Sequence, residues 1–347
     1  MHHSVQIDGG VRRENCFAAR RIATAALLGA TLALLEGCAA TDLTAIPSES
    51  SPAAVTTIPV GERALSVAIG SGRTMYLTCR GSGSPTIVLV SGLGERADNW
   101  DLTTDPSTSA RAVFPQVGRL SRVCAYDRPG TETTTATGRE GSRSTPVSQP
   151  TSGSAAAGDL AAMLAASGEP GPYVLVGHSY GGDVVRLYAA AHPREVAGIV
   201  LVDALSEDLP TRLTPEQSAD LEKLNSPATQ GRPAGAEEFR FDVVFPELRA
   251  IGSSPAVPVV VLTADRPVIS PADIASGQLP SFVTQAFADA LWSAQLAAQA
   301  DLARRFPGAE HVTVTNSGHY IHVEQPQLVV DAIARVVGLV RSARLPR

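Results

Sequence analysis

Wholly apolar runs recur along the chain without alternation of polar positions: Thr86-Ile-Val-Leu-Val90, Val123-Cys-Ala-Tyr126, Tyr173-Val-Leu-Val176, Ile199-Val-Leu-Val202 and Val259-Val-Val-Leu262. Continuous runs of this length suit parallel strands covered on both faces, whereas a half-exposed strand would alternate. A sixth strand is expected at His311–Thr315. Ahead of them, Ala64–Ile69 and Thr74–Cys79 flank Gly70-Ser-Gly72 and read as a hairpin. Helices are predicted between the runs, over 110–120 (broken by Pro115), 158–166, 183–191, 215–224 and 282–306. A closing amphipathic helix is expected at 327–337. The order of elements is that of an α/β fold. Two stretches interrupt it. Thr131–Pro150 is polar and low in complexity and reads as a mobile loop, and residues 205–256 form an insertion with one clear helix.

The run at Tyr173 ends in Gly177-His-Ser-Tyr-Gly181 and continues as a helical pattern. A strand, a sharp turn and a helix start would lift the hydroxyl of Ser179 off the top of the sheet, with Gly177 and Gly181 leaving room for the backbone to close around it. A serine hydroxyl is a weak nucleophile at neutral pH. It needs a base within hydrogen-bond reach and a third group that holds the base. His319, in Asn316-Ser-Gly-His319 just after the last predicted strand, suits the base. His322 is the alternative, His311 lies inside the strand, and His178 points away from the hydroxyl and reads as a packing residue.

Taken together, Cys79-Arg-Gly-Ser-Gly83, Val90-Ser-Gly-Leu-Gly94, Arg122-Val-Cys-Ala-Tyr-Asp-Arg-Pro-Gly130, Gly177-His-Ser-Tyr-Gly181 and Ser317-Gly-His-Tyr320 resemble the α/β-hydrolase superfamily, in its order and over about residues 65–340. The chain looks most like the bacterial secreted esterase and lipase-like serine hydrolases. The resemblance implies an eight-stranded, mostly parallel sheet flanked by helices, with a small helical cap at about 205–256. It also implies an oxyanion hole built from the amides of Leu93 and Tyr180, with Ser91 standing where many relatives have histidine. The triad acid stays open: Asp265 follows the strand that usually supplies it, Asp203 ends the preceding strand and is the alternative, and Asp208 lies slightly beyond. In such a fold the second strand neighbours the fourth, so Cys79 and Cys124 are expected to pair as a disulfide in an oxidising compartment.

A net charge of -6, spread along the chain without basic runs, argues against a nucleic-acid partner. Arg12-Arg13 and Arg20-Arg21 precede an uncharged stretch from Ile22 to Leu35, the layout of a signal peptide over 1–40 and too short a run to favour a spanning helix. Leu35-Glu-Gly-Cys38 resembles a lipoprotein cleavage box, which would attach the protein to a membrane through a lipidated Cys38. Residues 41–60, rich in Thr, Ser, Ala and Pro, suit a flexible linker, leaving 61–347 for the catalytic domain. Expected localisation is therefore the cell envelope or the medium. No nucleotide or metal motif is present, so the chemistry expected is cofactor-free cleavage of a small carboxylic ester through an acyl-enzyme. Amide or peptide cleavage on the same triad, and a silent surface binding module, are the alternatives. The sequence carries no sign of oligomeric state.

Overall fold

The computed structural model describes residues 61–343. The expected signal peptide, the lipidation site at Cys38 and the linker lie outside them. None of the described helices is long and apolar enough to cross a membrane.

Eight strands form one sheet: β1 (Arg63–Gly70), β2 (Arg73–Arg80), β3 (Thr86–Val90), β4 (Val123–Tyr126), β7 (Tyr173–His178), β8 (Val196–Val202), β9 (Val259–Leu262) and β10 (Glu310–Val312). Their spatial order is β1-β2-β4-β3-β7-β8-β9-β10. β1 and β2 form the expected hairpin, β2 runs antiparallel to β4, and all later neighbours are parallel. The fully apolar runs at β3, β4 and β9 are buried along their whole length, because helices cover both faces of the sheet. One face packs on α2 (Gly153–Ser167), α3 (Tyr180–Ala191) and α5 (Phe241–Arg249). The other packs on α1 (Val113–Val117) and α9 (Pro326–Ala343). This is the α/β-hydrolase fold.

A third apolar cluster lies over the sheet. Leu209 and Leu221 of the insertion, the latter on α4 (Pro215–Asn225), meet Ile269, Val283, Phe287 and Leu291 from the start of α7 (Gln285–Arg304) and the segment before it, which holds α6 (Pro271–Ala275). The insertion therefore packs on α7 as well as on its own residues.

Two elements depart from expectation. The last strand is shorter, ending at Val312, and beyond it the amides of Thr315, Asn316 and Ser317 turn to the Asp265 carboxylate instead of a neighbouring strand. Thr131–Pro150 is ordered: β5 (Glu132–Thr135) and β6 (Gly138–Gly141) pair as a small hairpin. Its threonines suit a pleated strand, and buried Asp127 anchors the segment. One Asp127 oxygen accepts from the Ala97 amide at 2.9 Å, while Arg143 donates to the carboxylate from its backbone and guanidinium.

Cys79 and Cys124 face each other across β2 and β4 and form a disulfide, with Cα atoms 4.0 Å apart. The bond closes a loop of 45 residues. The double substitution Cys79→Ala/Cys124→Ala is expected to lower stability by about 2–5 kcal/mol, read as a fall in the urea midpoint. An unchanged midpoint would show that the bond contributes nothing to the folded state.

Candidate active site

In this strand order the chain leaves β3 toward one edge of the sheet and β7 toward the other. The carboxyl ends of β3 and β7 thus frame the crevice where ligands of open α/β sheets bind. Ser179 sits there, between β7 and α3, at φ 51° and ψ −126°. A serine in that region carries strain on the order of 1–3 kcal/mol. The surroundings hold it: its amide donates to the Val202 carbonyl at 3.2 Å, and its carbonyl accepts from Gly182 and Leu205. The flanking glycines are required by close approach. A Cβ on Gly181 would lie 2.2 Å from the Val90 carbonyl oxygen, and one on Gly177 would lie 2.6 Å from Gly181 O and Gly182 Cα.

His319 follows β10 through the turn at Asn316–Gly318, and its Nδ1 lies 2.6 Å from Oδ2 of Asp203. Asp203, at the end of β8, is 2% exposed and also has a positive φ, 40°. Its other oxygen accepts from the Ala264 amide at 3.0 Å, so both carboxylate oxygens have a fixed task. Burial by itself would lower the His319 pKa, but the hydrogen bond and charge of Asp203, helped by Glu95, outweigh it and raise the imidazole above its ordinary 6.5. Neither Ser179 Oγ nor His319 Nε2 has a hydrogen-bond partner among the described residues. Separations of this kind are common before substrate binds.

Asp265, the leading expectation for the acid, does not meet His319. Its carboxylate accepts from the amides of Thr315, Asn316 and Ser317 at 3.0, 2.8 and 2.9 Å. Burial alone would raise its pKa; these amides more than offset that and lower it. Asp265 therefore ties down the turn that carries His319 rather than touching the ring, and this corrects the expectation. Asp208 is also elsewhere, paired with Arg305 at 2.7 Å. His311 is occupied by Thr263 at 2.9 Å.

The loop after β3 commits most of its amides to neighbouring acceptors. Gly92 donates to Glu95 Oε2 at 2.9 Å, Gly94 donates to Glu237 Oε2 at 2.6 Å, and Glu95 donates to the Gly92 carbonyl at 3.2 Å. Among residues 92–95, the Leu93 amide alone has no acceptor among the described residues. Its direction is set from behind. Arg128, 2% exposed, donates to the carbonyls of Ser91 at 2.8 Å and Gly92 at 2.6 Å, and pairs with both oxygens of buried Glu237 at 2.6 and 2.9 Å. Since the peptide unit is planar and trans, turning the Gly92 C=O toward Arg128 turns the Leu93 N–H the opposite way. Tyr180 is the first residue of α3, so its amide has no acceptor within the helix.

A second buried network joins this loop to the histidine. Glu95 Oε2 accepts from Asn99 at 2.5 Å and lies 3.2 Å from His178 Nδ1. On its far side, His178 Nε2 donates to the His319 carbonyl at 3.1 Å. Burial would raise the Glu95 carboxyl, but His178, His322 and the Gly92 amide outweigh it and hold it down at about 2. His322 is buried with Nε2 at 3.0 Å from Asn99, and its pKa is pushed well below 6.5 by burial and by His178. Glu95, His178 and His322 bring ligand-type atoms within 4.8 Å of one another. Oε2 of the Glu95 carboxylate accepts from the Gly92 amide and from Asn99. Glu95, Asn99, Arg128 and Glu237 escaped the sequence reading. Arg128 stood in a quoted motif, yet nothing in it named the carbonyls it would hold.

The Alpha/beta hydrolase family model matches residues 87–332. The chain belongs to the α/β-hydrolase family. The match spans β3 to α9 and so includes every residue placed around Ser179. An uncharacterized protein of Schizosaccharomyces pombe is 33% identical to this hydrolase over 149 residues, 38% of this chain and 26% of that protein. The chain thus spans about a quarter of the length of that curated relative. Among solved structures, Est816, an N-acyl homoserine lactone degrading enzyme, superposes with a TM-score of 0.51 at 19% identity, over 79% of this chain and 100% of its own. A Burkholderia cenocepacia protein proposed to be an aryl esterase gives 0.50 at 20% identity, over 81% and 100%. At such identities these likenesses speak for the fold alone.

Proposed function

We propose that this α/β-hydrolase cleaves carboxylic esters through an acyl-enzyme, with Ser179 as nucleophile, His319 as base and Asp203 as the carboxylate that orients it. The 2.6 Å contact between His319 Nδ1 and Asp203, beside a strained serine at the ligand crevice, carries this reading. His319 Nε2 takes the proton as Ser179 Oγ bonds to the ester carbonyl carbon. The resulting oxyanion meets the amides of Leu93 and Tyr180, which need no reorganisation to receive it. Collapse expels the alcohol, which leaves with the proton from His319. Water then repeats the sequence on the acyl-enzyme and frees the acid.

A fluorophosphonate probe is expected to label Ser179, located by peptide mass spectrometry, and p-nitrophenyl esters are expected to turn over faster than the matching anilides. Labelling at another residue would remove the nucleophile assignment, and faster anilide cleavage would make the protein an amidase.

The role given to Arg128 and Glu237 makes a separate prediction. Glu237→Gln leaves a buried guanidinium short of its counter-charge, at a cost of about 3–5 kcal/mol in stability. It also frees the Ser91–Gly94 loop, so kcat is expected to fall by about 10²-fold, the scale of losing one oxyanion donor. Denaturant titration and ester kinetics on the folded variant check both. A normal kcat would separate the clamp from catalysis.

A further inference from the structure

One cation near the oxyanion loop has no task in the chemistry above. Arg232 lies in the insertion, and its Nε, Nη1 and Nη2 are all buried without a hydrogen-bond partner among the described residues. An unpaired guanidinium out of water is costly, since it forfeits five hydration sites for nothing in return. Two of the three neighbouring carboxylates are committed elsewhere. Glu237 is shared between Arg128 and the Gly94 amide, and Glu132 is held by Arg139 at 2.8 Å. Burial accordingly pushes the Arg232 pKa down, despite the charges of Glu237 and Glu132 nearby.

Its position relative to the reacting centre is fixed by Gly94. A Cβ at that residue would lie 2.2 Å from Arg232 Nη1 and 3.2 Å from its Cζ, so the absent side chain is the space that the guanidinium fills. Gly94 directly follows Leu93, whose amide the reading above assigns to the oxyanion. With consecutive Cα atoms 3.8 Å apart, Nη1 lies within roughly 9 Å of the Leu93 nitrogen. An ester carbonyl and a second acid group joined by a short carbon chain fit within that limit.

We propose that Arg232 is a substrate-binding residue that receives a carboxylate carried on the acyl side of the ester, so that the preferred substrates are monoesters of short dicarboxylic acids. The inference rests on the ester-cleaving reading above. A planar carboxylate matches the guanidinium fork with two parallel hydrogen bonds.

The test compares p-nitrophenyl glutarate monoester with p-nitrophenyl valerate, which has the same acyl-chain length without the charge, on the full chain. The wild type is expected to favour the charged ester by at least about 10-fold in kcat/KM, and Arg232→Gln to reduce that ratio to one or below, mainly through KM. A wild-type ratio at or below one, or a ratio unmoved in Arg232→Gln, overturns the proposal. Calorimetry supplies a readout free of turnover: Ser179→Ala is expected to bind monomethyl glutarate, and the added Arg232→Gln change to abolish that binding. If neither ester is cleaved, the esterase reading fails while calorimetry still decides the carboxylate site; no binding to Ser179→Ala overturns the site.

Discussion

Replacing Ser179 by alanine is expected to lower kcat for p-nitrophenyl esters by about 10⁴- to 10⁶-fold, the range found when a triad nucleophile is removed. The change deletes only Oγ, which has no hydrogen-bond partner among the described residues, so no buried group loses one. Alanine and serine bear similar strain at φ 51°, and the amide and carbonyl contacts of residue 179 are made by backbone. The melting temperature should therefore stay within a few degrees of wild type. Residual rate would come from the Leu93 and Tyr180 amides acting on bound ester with water as nucleophile. Undiminished turnover by a pure Ser179→Ala preparation would remove the mechanism altogether.

The second large effect is expected at Asp203. Asparagine there can still accept from the Ala264 amide through its carbonyl oxygen, so the fold around β8 and β9 should hold. Its NH₂ group, however, would face His319 Nδ1 and select the tautomer with hydrogen on Nε2, the nitrogen that must accept the serine proton. A loss of about 10⁴-fold in kcat follows. Asp265→Asn is expected to behave differently. It loosens the Thr315–Ser317 turn at a cost of about 1–3 kcal/mol, with turnover reduced roughly tenfold or less once the protein is folded. Comparable losses of kcat in the two variants would erase the distinction drawn between them. The pH profile adds a sign. His319 must be neutral to act as base and its pKa is raised above 6.5, so wild-type kcat/KM should fall as pH drops through a value above 6.5. Asp203 supplies most of that upward shift, after burial has worked against it, so the acid limb of the residual Asp203→Asn activity should move to lower pH.

Much of the architecture is written locally. β3, β4, β7, β8 and β9 are legible because a strand covered on both faces must be apolar throughout, a property of four or five consecutive residues. The turn at Ser179 is legible for a similar reason: only glycine tolerates carbonyl oxygens 2.2–2.6 Å from a would-be Cβ, and those glycines sit two residues either side of the serine. The hairpin at β5 and β6 was missed because its threonines look like low-complexity filler. Its order comes from Asp127 and Arg143, with Asp127 preceding the hairpin in sequence and Arg143 following it.

The choice between Asp203 and Asp265 could not be made in sequence. Both end parallel strands at the same edge of the sheet, both follow apolar runs, and both precede His319 by a long interval. Tertiary structure separates them by geometry: Asp203 turns its carboxylate toward the ring through a left-handed backbone conformation, while Asp265 is consumed by three amides of the turn beside it. The same holds for Arg128, Glu237 and Arg232. A charged residue announces its charge in the sequence, but whether it clamps a loop, pairs with a neighbour or stands without a hydrogen-bond partner depends on contacts across up to 143 positions of chain. Sequence by itself determined the strands of the sheet, the glycine-flanked turn at Ser179 and the position of His319 after the last strand, since each depends on residues within a few positions; which carboxylate meets His319, and what the charges around Leu93 hold, were decided by packing, because only the folded chain brings their partners together.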